Sequence, residues 1–449
     1  VAETDIFRYD SFTIQADGKT VDFIYELIHA GNSHTLKETF VFPVTLPKNN
    51  AINAGLRALH IALGISYYKT FLPPNIMHPY KMDVDEAEFW NDIFTHGLGE
   101  FLYTNKLSAD QLARFSEQDG SIFNPDAKLD LQEAALLGIG GGKDSIVAGE
   151  LLKKIDVPLT GFVMATGEQL GQSKAVADIM GIELLAVERT LDQQLLQLQE
   201  QPGAYKGHVP ISLIFGLVGT VLAVAKNQGY IVVANEASAS IPSTTWNGTE
   251  INHQWSKSFG FEQKLQRYLK TYVTPQLTYF SAIRPLSSIA VAQHFAHYPQ
   301  YFEAFTSDNT VFRIDPSKRP HGRWSLESPK SLSSYILLAP WMSAPDVERT
   351  FGRDFLNEAS LEKLFLEMVG VEGEPPLDCV GTVDELVLSM NLLAKQKRYT
   401  DSYLMKLAHT KHVIREEDWD AALHTMSTPY PDQAFPEALT QVLETELPL

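Results

Sequence analysis

A single cysteine, Cys379, stands in 449 residues, so no disulfide can close within the chain and no thiolate cluster can hold a metal in one subunit. A racemase that works with two opposed thiols is excluded on the same ground. Positive charge is also scarce. The 36 Lys and Arg residues face 55 Asp and Glu, a formal net charge of −19, which repels a phosphate backbone and disfavours a nucleic-acid partner. One uncharged apolar run tests for a membrane span: VPISLIFGLVGTVLAVA at 209–225 is short for a bilayer and carries Pro210, Ser212, Gly216, Gly219 and Thr220. With GYIVVANE following it, the run reads as a buried helix leading into a strand. No stretch near Val1 joins a basic region, an apolar core and a small-residue cleavage site, so the expectation is a cytoplasmic protein without a membrane partner. Internal repeats and low-complexity tracts are absent as well.

What is present is enough chain for two or three cores. FRYDSFTIQADGKTVDFIYELIHA reads as two strands around the Asp17-Gly18 turn, ETFVFPV as a third, and LRALHIALGISYYKTFLPP as a helix stopped by Pro73-Pro74. A second helix is expected over 86–105. Polar residues, Gly120 and Pro125 mark a boundary between 116 and 130. Beyond it, LLGIG, LTGFVMA, IELLAVE and YIVVANE alternate with helical stretches at 145–154, 171–180 and 211–227, the pattern of a parallel sheet covered by helices. After Pro285 the chain reads as mainly helical, with a polar loop at DPSKRPHGRWSLESPKS and a turn-rich tail. The fold class expected is α/β: an N-terminal α+β domain over 1–125, a nucleotide-binding domain with a central parallel sheet and helices on both faces over 126–290, and a mainly helical domain over 291–449.

The most specific feature is LLGIGGGKDSIVAGELLKK, which runs an apolar segment into three glycines, then Lys-Asp-Ser, then a helix. A strand that ends this way gathers free backbone N–H groups and the positive end of a helix dipole, and anions bind there. Gly140, Gly141 and Gly142 remove the side chains that would block approach. Ser145 adds a hydroxyl and Lys143 a charge. A P-loop needs a glycine where Leu137 stands, and a dinucleotide fingerprint needs one where Lys143 stands, so neither fits. A helix cap made by Asp144 or Ser145 needs no triple glycine.

The strand–GGKDS–helix arrangement resembles the pyrophosphate-binding loop of the ATP-pyrophosphatase (PP-loop) superfamily, with Gly140 in place of its usual first serine. Together with LHIALGISYYKTFLPP, GLGEFLY, GHVPIS, NEASAS, NHQWSKSFGFE and YFSAIRPLS, in that order along the chain, it is similar to the MurL-type family of UDP-N-acetylmuramoyl-L-alanyl-L-glutamate epimerases. The resemblance implies a PP-loop domain of the adenine nucleotide alpha-hydrolase-like type. It also implies ATP and Mg²⁺ as cofactors and a UDP-MurNAc-dipeptide substrate whose terminal L-glutamate is inverted through an acyl-adenylate. On this reading Gly140, Gly141, Gly142, Lys143, Asp144, Ser145 and His208 bind the nucleotide, and Asp144 and Glu236 offer carboxylate oxygen to Mg²⁺. Glu236, His253 and Lys257 are candidates for proton transfer. Arg189 and Arg284 are candidate partners for carboxylate or phosphate. Asn235, Ser238 and Ser240 are expected to face the same crevice, at the carboxyl end of a strand. Other adenylating enzymes of the superfamily, a ligase or a tRNA-modifying enzyme, and a non-catalytic nucleotide sensor are the alternatives. The chain departs from the family pattern in one respect: Asp308, Ser325, Ser328 and Ser331 occupy places where that pattern often has cysteine, and serine does not replace a thiolate on zinc.

Overall fold

The computed structural model describes residues 5–118, 129–165, 167–312, 322–415 and 419–448. β1 (Ile6–Ile14), β2 (Thr20–His29) and β3 (Asn32–Val41) form an antiparallel meander, and the Asp17 carboxylate closes the first turn by accepting the Lys19 and Thr20 amides. α1 (Asn50–Tyr68) starts on the Asn49 side chain and is followed by β4 (Asn75–Met77), α2 (Val84–Gly97) and α3 (Gly99–Asn105). The single helix expected over 86–105 is thus two, separated at Leu98, whose φ of −97° and ψ of 10° leave the helical path.

Then the chain alternates: β5 (Gln132–Gly138), α4 (Lys143–Lys154), β6 (Leu159–Met164), α5 (Gly167–Met180), β7 (Leu184–Thr190), α6 (Gln193–Leu198), α7 (Ile211–Ala225) and β8 (Gln228–Val233). A hairpin of β9 (Thr244–Trp246) and β10 (Thr249–Ile251) precedes α8 (Phe259–Tyr272) and β11 (Thr278–Ser281), strands too short to announce themselves by alternation. The remainder is helical: α9 (Ser288–Ala296), α10 (Pro329–Leu338), α11 (Ala344–Phe351), α12 (Glu362–Met368), α13 (Val383–Lys395) and α14 (Tyr403–Thr410). The tail expected to be turn-rich carries α15 (Asp420–Ser427) and α16 (Glu437–Glu446).

One sheet of nine strands, in the order β11-β8-β5-β6-β7-β3-β2-β1-β4, spans most of the molecule. The strands from β11 to β7 run parallel, and β3 joins β7 antiparallel through Thr39–Thr190, Phe40–Arg189 and Val41–Glu188. Strands from either side of the expected boundary near 116–130 therefore share one sheet. Its buried strands are apolar on both faces, and the two-residue period sends neighbours to opposite cores. Leu136 and Ile231 pack with α1 and α7, whereas Leu137 and Val232 pack with α4 and the C-terminal helices. α7 is the apolar run of 209–225; no described helix is long and apolar enough to cross a membrane.

This topology decides where a ligand can sit. From β5 the chain steps outward through β6 to β7, then crosses back to place β8 on the other side of β5. The order reverses between β5 and β8. At such a switch point the two connections leave in opposite directions and open a crevice beyond the strand carboxyl ends.

Candidate functional site

The triple-glycine loop lies at that crevice. Gly141 has φ +85°, and a Cβ there would meet Gln172 Cγ at 3.0 Å, so both conformation and space demand glycine. Nothing lies within 4 Å of a Cβ built on Gly140. α4 begins at Lys143 with Gly142 as its N-cap and no side-chain cap. Asp144 and Ser145 are therefore not caps: Ser145 donates to the Gly142 carbonyl at 3.0 Å, leaving the helix N-terminus without a side-chain acceptor. The loop is held from behind by the segment after α9, where the Thr306 amide donates to Gly141 O at 3.1 Å.

A cavity of about 470 Å³ opens onto this loop, within the size range of small-molecule sites. Gly138, Gly140, Gly142, Asp144 and Ser145 line one part of it; His208, Asn235, His253 and Lys257 line another. A smaller compartment of about 60 Å³, lined by Lys143, Glu236 and Ser333, shares Asp144, Lys257, Lys330 and Cys379 with the larger one. The loop, the end of β8 and the 252–257 segment, far apart in sequence, thus converge. His253 and Lys257 reach the cavity from a turn and a short 3₁₀ segment (Trp255–Lys257) rather than from one α-helical face.

The electrostatics of the inner compartment are those of crowded opposite charges. Burial lowers the affinity of the Lys143 ammonium for its proton, but Asp144, whose Oδ1 is 2.5 Å away, and Glu236 outweigh it and hold the group above its ordinary value. Burial and the Asp144 charge push the Glu236 carboxyl up, against the pull of Lys143 and Lys257. His208 is brought down to about 4 by burial, despite Glu100 at 3.3 Å. Burial also opposes charge on His253, yet hydrogen bonds to Cys379 and Glu100 win and lift it to about 9. Lys257 Nζ lies 3.1 Å from Cys379 Sγ. Burial pushes the Cys379 thiol up; Lys257 foremost, then Lys330 and His253, outweigh this and bring it to about 6.

Four expected residues stand elsewhere. Arg189 does not line the cavity: its guanidinium, on β7, is bound by the fully buried Glu38 of β3, because a strand-to-strand neighbour of opposite charge captured it. Arg284 is fully buried and faces Glu262. Ser238 donates to Glu385 Oε1 at 2.7 Å, and Ser240 accepts the Phe259 amide at 3.1 Å, so both support neighbouring segments. Three further residues had no role in the sequence reading. Cys379 and Lys330 line the cavity and carry no motif of their own, and Glu100, inside the GLGEFLY block but given no role there, stands behind it on His208 and His253; only the packing of the C-terminal region and of α3 brings them together. Asp308, Ser325 and Ser331 do come together: Asp308 Oδ2 accepts the Ser325 amide at 2.7 Å and the Ser331 hydroxyl at 2.9 Å.

A glycine loop and uncapped helix at the switch point of a parallel sheet, opposite a cluster of titratable side chains, define an α/β protein with a candidate small-molecule site at its strand carboxyl ends. The comparisons with known proteins are more specific. A family model described as the MurL N-terminal domain matches residues 1–282, one described as the MurL C-terminal domain matches 304–424, and the chain belongs to the MurL family. It is 31% identical over 433 residues to a UDP-N-acetyl-alpha-D-muramoyl-L-alanyl-L-glutamate epimerase of a Micromonospora species, covering 93% of each chain. Proteins of the same name from Xanthomonas oryzae pv. oryzae and Salinispora tropica are 34% and 30% identical, over 79% and 89% of this chain and 78% and 87% of theirs.

Proposed function

We propose that the chain is an ATP- and Mg²⁺-dependent epimerase of peptidoglycan precursor synthesis. It inverts the terminal L-glutamate of UDP-MurNAc-L-Ala-L-Glu, the substrate named in its relatives, and releases AMP and pyrophosphate. The observation that carries the ATP part is the uncapped start of α4 behind Gly140–Gly142, open to a cavity that also contains acid–base groups.

The chemistry explains why an epimerase would need such a loop. A glutamate carboxylate holds its negative charge next to the α-carbon and resists loss of the α-proton. ATP, when bound, supplies the remedy: joined to AMP as a mixed anhydride, with pyrophosphate as leaving group, the carboxyl loses that charge and the α-proton becomes acidic. The residues present fit this ligand. The amides at the start of α4 and the Lys143 ammonium offer donors and charge to phosphate oxygens, in the crevice at the strand carboxyl ends. Asp144 and Glu236, close enough that one raises the other, offer the carboxylate oxygens that Mg²⁺ requires. Lys257 and His253, both held protonated, attract the glutamate carboxyl groups.

The test is to incubate the protein with ATP, Mg²⁺ and UDP-MurNAc-L-Ala-L-Glu in D₂O. AMP, pyrophosphate and α-deuterated D-glutamate are expected together. ADP as the main nucleotide product would overturn the adenylation reading, and L-glutamate without deuterium would overturn the epimerase.

A further inference from the structure

Two segments that the sequence keeps apart meet in the cavity: the loop before α13, with the sole cysteine, and the segment before α8, with a histidine and a lysine. Lys257 Nζ is 3.1 Å from Cys379 Sγ, a ring nitrogen of His253 lies within 4.8 Å of the same sulfur, and His253 Nδ1 is held by Glu100 Oε2. A histidine fixed by a carboxylate on one side and facing a thiol on the other is the arrangement that converts a thiol into a thiolate. Sγ lines both the compartment of Glu236 and the cavity on the glycine loop. We propose that Cys379, as its thiolate, is the base that removes the α-proton of the substrate glutamyl residue, an assignment that rests on the epimerase reading above.

The other cavity groups are unsuited to that task. At neutral pH His253 and Lys257 carry their protons, so neither can accept one. His208 is neutral, and with its value near 4 it is a weak base. Glu236, which lines only the inner compartment whereas Cys379 also lines the larger cavity, is with Asp144 the carboxylate assigned above to Mg²⁺. Cys379, near 6, is ionised and close to the working pH, where a general base is most effective. The groups that face it are Lys257 and His253 from the segment before α8, Lys330 from α10 and its own neighbour Asp378, with Glu100 and His208 behind His253.

In the step itself the Cα–H bond breaks and an S–H bond forms on Cys379. The electron pair left on carbon delocalises onto the acyl oxygen as an enolate. With no second thiol in the chain, the opposite face of the enolate takes its proton from water, and the hydroxide formed takes the thiol proton, which restores the thiolate and water.

The test compares α-deuterium incorporation with pyrophosphate release in D₂O for the parent chain and for Cys379→Ser. Loss of a general base predicts that the ratio of the two rates falls about 10²–10⁴-fold. A ratio equal to the parent's overturns the assignment. A parent chain that releases no pyrophosphate sinks the epimerase reading instead, before any variant is made. Should Cys379→Ser fail to fold, alkylation of the parent by iodoacetamide decides, because intact mass reports on the one cysteine. An inflection near pH 6, with protection by ATP and substrate, supports the base; an inflection near 9, or labelling indifferent to substrate, overturns it.

Discussion

Arg284 and Glu262 form an ion pair sealed from solvent, with Arg284 Nη2 and Nε at 2.7 and 2.9 Å from Glu262 Oε2. The same guanidinium donates to the carbonyls of Glu236 and Lys257, at 2.8 and 2.6 Å. One arginine thereby fixes the backbone under two residues of the cavity from behind. Glu262→Gln leaves a buried cation without its counter-charge, which costs about 3–5 kcal/mol. Urea unfolding of this variant is expected to show that loss, whereas replacement of the half-exposed Lys264, paired to Asp92 on the surface, is expected to cost under about 1 kcal/mol.

The loop residues are expected to act on the first chemical step. Lys143→Ala and Asp144→Ala should reduce pyrophosphate release by a few kcal/mol of transition-state stabilisation, roughly 10²-fold or more, with the far-ultraviolet circular dichroism of the parent retained. Release at the parent rate would mean that the triple-glycine loop is only a turn.

Asp308 organises its part of the helical region by hydrogen bonds. Its carboxylate accepts from the Ser325 amide, the Ser331 hydroxyl and the Thr310 amide and hydroxyl, so Asp308, Ser325 and Ser331 are joined to one another by hydrogen bonds. Elemental analysis after dialysis is expected to find no stoichiometric zinc. Asp308→Ala strands these buried donors and should destabilise the protein by about 3 kcal/mol, read from the denaturant midpoint.

His60 predicts a pH dependence of stability. Fully buried between the Ile24 carbonyl and Tyr80, it is pulled by burial from 6.5 to about 4. The folded value lies below the unfolded one, so the unfolded chain binds the extra proton in this window. The His60 contribution is present above pH 6.5 and is lost as the pH falls towards 4, by about 3 kcal/mol. Urea titrations at pH 7, 5.5 and 4.5 should show this slope, reduced in His60→Phe; an unchanged slope would show that His60 is not its source.

The sequence by itself determined the local elements and the glycine loop between β5 and α4. Alternation and the Asp17-Gly18 turn specified the meander, and apolar runs separated by helical periods specified the parallel strands, because both patterns follow from which face of a single element is buried. Three glycines before Lys-Asp-Ser marked the loop, since only close approach or positive φ requires them, as Gly141 shows. The tertiary structure decided what distant segments share. Pairing of β3 with β7 joined two expected domains into one sheet and gave Arg189 to Glu38, a choice of partner that no local pattern encodes. It also turned Cys379 from an isolated residue into the centre of a charged cluster. A thiol's ionisation depends on the ammonium and imidazolium packed against it, and Lys257 lies 122 positions away in the chain.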